Sequence, residues 1–277
     1  MKLHRLLLGT VAAGLFSVSA AWAIPTATVD GITIPVDSAS GGAIFSVQVD
    51  HETQITAVGD VLSGYGILNQ IQDFPSSTVT YLQPCSTVGC TGLFLTDVFT
   101  GLTVRAINPT ATGFDVYLTG GSLNYYLHNT LPNMDTGNQA TDMANATSGT
   151  TFLSLTPAVF DTFGDTMHIF VPGNSLADFT GNAQGDAFLN VTGGDAAGIF
   201  DTNTFTVTFD DTTLAADLAF VGNAHEVSGA DFPIGGSDDL FANTVPEPAS
   251  LALLGAGLFL MGWTFHRRRK ANPTSCA

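Results

Sequence analysis

The chain has 277 residues, enough for one large all-β domain or two small domains. Only 11% of them are charged, against about 25% in an average soluble domain, and such a composition is common among extracellular β proteins. Arg105 is the only Lys or Arg between Ile24 and Pro246, whereas all acidic residues except Glu247 lie in that stretch. Such an anionic body would repel phosphates. Nucleic acid and anionic membrane surfaces are therefore excluded as its partners, and cations are favoured.

The first 23 residues have the three parts of a secretory signal peptide. Lys2 and Arg5 supply the positive charge, and residues 6–18 form an apolar core. The small residues Ala21 and Ala23 predict cleavage by signal peptidase before Ile24. Because the apolar core is too short to span the roughly 30 Å of a bilayer, we expect export and removal of segment 1–23.

Residues 24–236 are predicted to form one β-rich exported domain. Short segments of alternating apolar and polar residues are separated by Gly-Gly, Asn-Pro and Asp-Asp turns. The predicted strands cover residues 44–49, 77–82, 102–107, 114–119, 123–128, 152–155, 167–171, 187–191 and 205–209. Segment 135–150 is poor in apolar residues and is predicted to be a long loop or a short helix packed on one end.

The alternation indicates strands with one buried face, and the 20 phenylalanines can fill a core between sheets. We therefore predict an all-β fold, an antiparallel β-sandwich or jelly roll. Nothing in the composition divides the body, which favours a single domain. The polar segment 237–244 is predicted to be a linker to the C-terminal tail.

Two cysteines of the body, Cys85 and Cys90, are close together in sequence. In an exported protein this spacing, with a glycine between them, favours a disulfide that fixes a hairpin tip. Its short loop would contribute about 2 kcal/mol. Free thiols are the alternative, since a redox pair more typically has two residues between the cysteines and a metal site needs further ligands.

The body offers few candidates for chemistry. His51, His128, His168 and His225 are far apart in sequence, and a His-Glu-x-x-His motif, a Gly-x-Ser-x-Gly elbow and a phosphate loop are all missing. Acidic residues at 161–165, 210–211 and 238–239 could supply oxygen ligands to Ca²⁺, but none follows the EF-hand order. We predict no catalytic residue and no cofactor, with Ca²⁺ as the one ion considered.

The C-terminal segment 245–270 has three features in order. Pro246, Glu247 and Pro248 come first, and the apolar run 249–265 follows. At 1.5 Å per residue this run would form a helix of about 25 Å, a short membrane span. The basic cluster then consists of Arg267, Arg268, Arg269 and Lys270. The positive-inside rule places this cluster and the tip 271–277 in the cytoplasm, and the body on the opposite side of the membrane.

This tail resembles the PEP-CTERM sorting signal of Gram-negative bacteria. The resemblance implies recognition at Pro246, Glu247 and Pro248 by an exosortase, a membrane cysteine protease, with the basic cluster as the cytoplasmic stop. Proteins with this signal usually accompany exopolysaccharide production, biofilm or floc formation. The body is also similar to PEP-CTERM proteins of undefined function, in segments 28–33, 52–56, 62–66, 193–197 and 200–204.

We therefore expect an exported, non-catalytic protein of the cell surface or extracellular matrix. Signal peptidase, exosortase and exopolysaccharide are its expected partners, and the inner membrane is contacted transiently through the tail. The precursor would be membrane-anchored before it reaches the surface or the exterior. A polysaccharide- or Ca²⁺-binding module and a secreted hydrolase with paired carboxylates are the alternatives.

Overall fold

The computed structural model describes residues 26–35, 42–74, 79–82, 86–177, 181–209, 212–227 and 233–244. The predicted signal peptide 1–23 with its cleavage site, the sorting segment from 245 and the tip 271–277 lie outside these ranges. The described part is mostly strand, which confirms the all-β prediction. Among the described residues no helix combines the length and the apolar character needed to cross a membrane.

The described residues form fourteen strands and two short helices. The strands are β1 (Thr26–Val29), β2 (Ile32–Pro35), β3 (Gly42–Glu52), β4 (Val61–Phe74), β5 (Val79–Tyr81), β6 (Thr91–Pro109), β7 (Gly113–Thr130), β8 (Thr150–Pro157), β9 (Asp165–Pro172), β10 (Ala183–Gly193), β11 (Phe205–Phe209), β12 (Thr212–Ala216), β13 (Leu218–Glu226) and β14 (Ile234–Asn243). The helices are α1 (Gln139–Ala146) and α2 (Ala197–Phe200).

The main sheet closes on itself into a barrel of eight strand positions. Each position pairs antiparallel with the next along the chain, in the order β3, β4, β6, β7, β8 with β9, β10, β13 and β14, and β14 returns to pair with β3. Strands β8 and β9 occupy one position. Residues 123–127 of β7 pair with β8, and residues 113–119 pair with β9. The loop 158–164 between them therefore leaves the barrel wall at mid-height.

The predicted β-sandwich or jelly roll is not confirmed, because one sheet closes on itself where two facing sheets were expected. Both arrangements bury one face of every strand, so alternation alone does not distinguish them. The Gly120-Gly121 pair, which suggested a turn, lies within β7. Both glycines have positive φ, of 73° and 90°, which only glycine adopts easily, and the strand continues through them.

The two ends of the barrel differ in their connections. At the pocket end, β3–β4, β6–β7, β9–β10 and β13–β14 are joined by segments 53–60, 110–112, 173–182 and 227–233. At the helix end the connections are longer and contain α1, α2 and the β11–β12 hairpin, and β1–β2 precedes β3 there. Ile32, Ile34 and Phe200 belong to the main core cluster, and Phe200 meets Phe45 edge-on at 5.3 Å. The helix end of the interior is therefore filled.

Helix α1 fulfils one of the two alternatives for segment 135–150, a short helix. Asn138 caps it by accepting from the Thr141 backbone N–H at 3.0 Å. The helix packs on the outer wall instead of on an end of the barrel. There Ala146 joins Tyr65 and Val98 in a second hydrophobic cluster.

The predicted linker 237–244 is wrong, since β14 runs from Ile234 to Asn243. Its Gly, Ser and Asp content resembles a loop, but Asp238, Leu240 and Ala242 alternate as buried residues, the pattern of a strand with one face inward. The strand leads from the pocket end to the helix end, where Asn243 pairs with Gly42. The barrel is thus complete before the predicted tail begins.

Candidate functional site

A partly enclosed pocket occupies the pocket end of the barrel interior, with a volume of about 80 Å³. This is space for about six water molecules. Most of its wall is aliphatic or aromatic. The apolar lining residues are Ile55, Leu62, Phe99, Leu102, Leu123, Pro157, Met167, Ile169, Val171, Leu176, Ala183, Ala187, Leu189, Phe220, Ala224 and Ile234.

Glycines on the inner face leave room for larger neighbours. A Cβ atom on Gly64 would collide with the ring of Phe99, and one on Gly222 would collide with Oδ1 of Asp238. Both glycines therefore let an inward side chain lie close against the adjacent strand. The barrel interior therefore has room for both large side chains and a pocket.

Two carboxyl groups and the polar side chains of Thr53, Gln54, Ser122 and Asn223 interrupt the apolar lining. Glu52, the last residue of β3, and Asp238, in the middle of β14, both line the pocket. Asp238 is buried. A pocket with mainly apolar walls and a few polar groups is the usual form of a small-molecule site, in which the polar groups orient the ligand.

Asp97 is a third carboxyl group on the inner face. On β6 it shares that face with Leu95 and Phe99, both members of the barrel core, and its side chain is 1% exposed. Its Oδ1 atom has no hydrogen-bond partner among the described residues. Burial is the main reason that the pKa of Asp97 is raised to about 7; the negative charge of Glu52 adds to the rise, and hydrogen bonds from the backbone N–H groups of Asp97 and Gly66 oppose it.

The only Lys or Arg of the body points to the outer face of the barrel. Arg105 lies on the outer face of β6, since Val104 beside it belongs to the interior core. Its guanidinium donates two hydrogen bonds to the carboxylate of Asp165, which is fully buried. The guanidinium also lies over the rings of Phe163 and Tyr117, at 5.0 and 5.9 Å from their centroids. Hydrogen bonding to Asp165 raises the pKa of Arg105.

His168 of β9 lies next to this pair on the outer wall. Its Nε2 is 3.1 Å from an oxygen of Asp115, and its Nδ1 is 3.4 Å from an oxygen of Asp186. The hydrogen bond with Asp186 is the main reason that the pKa of His168 is raised. The two nitrogens face different carboxylates, so the group is an ion-pair cluster and not a convergent ligand set.

The other predicted candidates are dispersed. His51 is stacked with Tyr65 at 5.0 Å, His128 is hydrogen-bonded to Thr96 at 2.9 Å, and His225 is exposed on β13. The described residues hold no group of three or more His, Cys, Asp or Glu side chains placed to bind a metal ion. Of the acidic positions considered for Ca²⁺, residues 210–211 lie outside the described ranges.

Cys90 is disulfide-bonded. Its partner lies outside the described residues, as Cys85 does, so the pairing of Cys85 with Cys90 stays a prediction. Asp161, another acidic candidate, accepts the backbone N–H groups of Phe163 and Asp165 at 3.0 and 2.8 Å. It therefore shapes the 158–164 loop.

Sequence reasoning missed Asp97 and Asp217. The signal for Asp97 was present, since the i, i+2 pattern Leu95, Asp97, Phe99 puts an acid in a run of core positions. Asp217 looks like an ordinary turn residue. In the structure its buried carboxylate accepts the backbone N–H groups of Val191 and Thr202, both at 2.7 Å, and of Asn203 at 2.5 Å.

The fold and site define an antiparallel barrel with an internal pocket. Comparison with known families identifies a sorting signal that follows the barrel in the sequence. Residues 244–270 match the family model of the PEP-CTERM protein-sorting motif. The tail resemblance is therefore confirmed, and the motif indicates an exported, exosortase-sorted protein of the surface or exterior with a membrane-anchored C-terminal signal. Searches of curated proteins and of solved structures find no match to the chain.

Proposed function

We propose that this chain is a non-catalytic protein of the cell surface or extracellular matrix whose barrel binds a small, largely apolar ligand. The internal pocket is the observation that carries the proposal. Eight-stranded barrels have interiors just wide enough for side chains or for one small ligand. Here aliphatic side chains from β9, β10 and β13 surround space for about six waters. Such walls favour the burial of an apolar group over water.

Delivery in this proposal follows the two ends of the chain. Signal peptidase removes segment 1–23, and the basic cluster 267–270 holds the precursor in the inner membrane of a Gram-negative bacterium. An exosortase then acts at Pro246, Glu247 and Pro248. The roles in exopolysaccharide, biofilm or floc formation belong to the same proposal, and the sorting motif supports them. The similarity of the body to other PEP-CTERM proteins also belongs to it and rests on the sequence segments named above.

A second role, contact with a polysaccharide, would involve the outer wall, because a polymer is too large for the pocket. Phe163 favours this role. Its side chain is 71% exposed, and it is held over Arg105 at 5.0 Å, so a sugar ring could stack on its free face. Replacing Phe163 by Ala should weaken sedimentation of the barrel with exopolysaccharide. Unchanged sedimentation would remove this role.

Ligand binding can be tested on a chain that ends at Thr244. The core cluster draws its members from residues 32–242, so this chain keeps the complete barrel core. Octan-1-ol serves as a neutral probe, and methyl NMR spectra report contact with Ile169, Val171 and Leu189. We expect saturable shifts of these methyl groups and a higher melting temperature, because a ligand of the native state stabilises it.

Two blocked variants provide the control. Ala187→Phe fills the middle of the pocket, and Ala224→Leu fills a half-buried position of its wall. Both should lose the octan-1-ol response, and Ala224→Leu provides the test if Ala187→Phe does not fold. A wild-type barrel without saturable shifts would refute the binding role, and chemical turnover of a bound ligand would refute the non-catalytic one.

Sorting can be tested in cells of a host that carries the exosortase. Replacing Pro246, Glu247 and Pro248 by alanines should retain the tail and leave the precursor in the membrane fraction. Glu226→Gln, an exposed change in the barrel, is the matched control and should be processed normally. Tail removal at the wild-type rate in the triple variant would refute the sorting step.

A further inference from the structure

The inner face of the barrel carries acidic side chains, whereas the only Lys or Arg of the body lies on the outer face. Glu52 and Asp238 line the pocket, and Asp97 lies one inward position below Phe99 on β6, about 7 Å along the strand. Arg105, the only Lys or Arg between Ile24 and Pro246, is bonded to Asp165 on the outer face. The potential inside the pocket is therefore attractive for a positive charge.

Asp97 gives a second, independent reason to expect a positively charged group. Its side chain is 1% exposed and its Oδ1 has no hydrogen-bond partner in the described part of the chain. A buried polar atom without a partner is rare in native proteins and calls for an explanation such as a ligand. A donor that enters past Phe99 would satisfy this oxygen and at the same time reach the charge of Glu52.

The walls restrict what can carry the charge. Most of the residues that line the pocket, among them Leu123, Ile169 and Phe220, are apolar. An inorganic ion would leave these walls facing water, whereas an apolar tail would cover them. We propose that the pocket selects an organic cation, a protonated amine on a small apolar group, with the ammonium directed to Glu52 and Asp97. This inference rests on the proposed binding role of the barrel.

Three probes with the same eight-carbon chain separate charge from shape. Octylamine, octan-1-ol and octanoate are titrated into the barrel ending at Thr244 at pH 7.5 and low salt, with methyl NMR as the readout. We expect octylamine to bind at least tenfold more tightly than octan-1-ol, since a desolvated charge-assisted hydrogen bond is added to the same apolar contact. Octanoate should bind more weakly than octan-1-ol, because its charge is repelled.

Matched variants identify the carboxyl groups that recognise the ammonium group. Glu52→Gln and Asp97→Asn should each remove most of the preference for octylamine while octan-1-ol still binds. Glu226→Gln is the control, because it is the only other glutamate of the body and is exposed on β13. Asp238→Asn removes the other carboxylate of the pocket lining. Asp239→Asn is its control, because Asp239 is the exposed neighbour on the opposite face of β14.

The outcomes distinguish this inference from the binding role beneath it. Equal affinities for octylamine and octan-1-ol would refute the cation preference and leave the binding role standing. If none of the three probes binds, the binding role itself is refuted. Competition between Ca²⁺ and octylamine, with tighter binding of Ca²⁺, would overturn the organic cation in favour of a metal ion. A preference unchanged in both Glu52→Gln and Asp97→Asn would place the charge recognition elsewhere.

Discussion

Asp97 and Asp165 are both buried carboxyl groups of the same barrel, and their surroundings are opposite. Asp165, at the start of β9, accepts two hydrogen bonds from the guanidinium of Arg105 on the outer wall. Asp97, on the inner wall, has an oxygen without a partner among the described residues and a pKa raised to about 7. The only Lys or Arg of the body thus forms its ion pair on the outer wall of the barrel and not in the interior.

The contrast shows two kinds of buried acid. Asp165 is part of a stabilising ion pair, whereas Asp97 lowers the stability of the folded chain when it is ionised. A buried charge needs a counter-charge or several hydrogen bonds to offset its lost hydration. Asp165 has such an offset, and Asp217 has one of a different kind in three backbone N–H groups. Asp97 weakens the fold when it is ionised, which is the property expected of a group kept for a ligand.

The largest effect is expected from Asp97→Asn. Below pH about 3.8 the carboxyl group is protonated in both folded and unfolded chains, so it has no effect on stability. Between that pH and about 7 only the unfolded chain loses the proton, so the free energy of unfolding falls as pH rises. At pH 8 the variant should be up to about 4 kcal/mol more stable than the wild type.

The measurement is urea unfolding at pH 5 and pH 8. The gain from Asp97→Asn should be clearly smaller at pH 5, where only part of the difference has developed. Asp201→Asn is the control, because Asp201 is exposed and its substitution should be neutral at both pH values. A gain that does not depend on pH would contradict the raised pKa of Asp97.

Removing the counter-charge on the outer wall should have the next largest effect. Arg105→Met leaves Asp165 buried without its cation, and we expect a loss of about 3 kcal/mol, discounted because the Arg105 side chain is one-third exposed. Adding Asp165→Leu should recover most of the loss, since an apolar pair can replace a buried ion pair. Thermal unfolding of the two single variants and the double variant gives the coupling energy. Additive losses would show that the two side chains act independently.

Asp217→Asn tests compensation by backbone donors. One oxygen of Asp217 accepts from Thr202 and Asn203, and the other accepts from Val191. An amide keeps only one acceptor oxygen, so a backbone N–H loses its partner and stability should fall by about 1.5 kcal/mol. Asp201→Asn, an exposed change nearby, should be neutral when chemical unfolding is measured. Equal losses in the two variants would contradict the role of Asp217 as an acceptor for these backbone N–H groups.

The smallest effect is expected from His168→Gln. Asp186 and Asp115 raise the pKa of His168 above its ordinary 6.5, so its contribution is fully present below pH 6.5 and is lost as pH rises through the raised pKa. Because both acids are partly exposed, the contribution should stay below about 1 kcal/mol. The melting temperatures of variant and wild type should differ at pH 6 and converge at pH 9. A constant difference would indicate a packing effect.

Much of the fold could be predicted from residue patterns. Alternation located strands correctly at residues 114–119 and 167–171, because one face of each is buried in any packed sheet. Closure of the sheet could not be predicted, since the pairing of β14 with β3 joins residues far apart in sequence. The linker prediction failed at β14 because small and acidic residues can lie inside a barrel wherever a pocket or a glycine leaves room.

The candidate site was less accessible from sequence than the fold. The pocket depends on positions without a side chain, such as Gly64 and Gly222. Its shape depends on the positions of all eight strands, which the sequence does not give. The inward position of Asp97 could be predicted from its alternation with the core residues Leu95 and Phe99. That its Oδ1 has no hydrogen-bond partner among the described residues depends on the positions of the neighbouring strands, which the sequence does not give.

The last strand of the barrel also determines where the chain leaves the barrel. Strand β14 starts beside the pocket at Ile234 and ends at the opposite pole with Asn243, next to the sorting motif that begins at residue 244. The chain therefore leaves the barrel at its helix end, opposite the pocket. Proteolysis after Asn243 would cut no strand of the sheet. A ligand acquired on the anchored protein would therefore be carried unchanged through release.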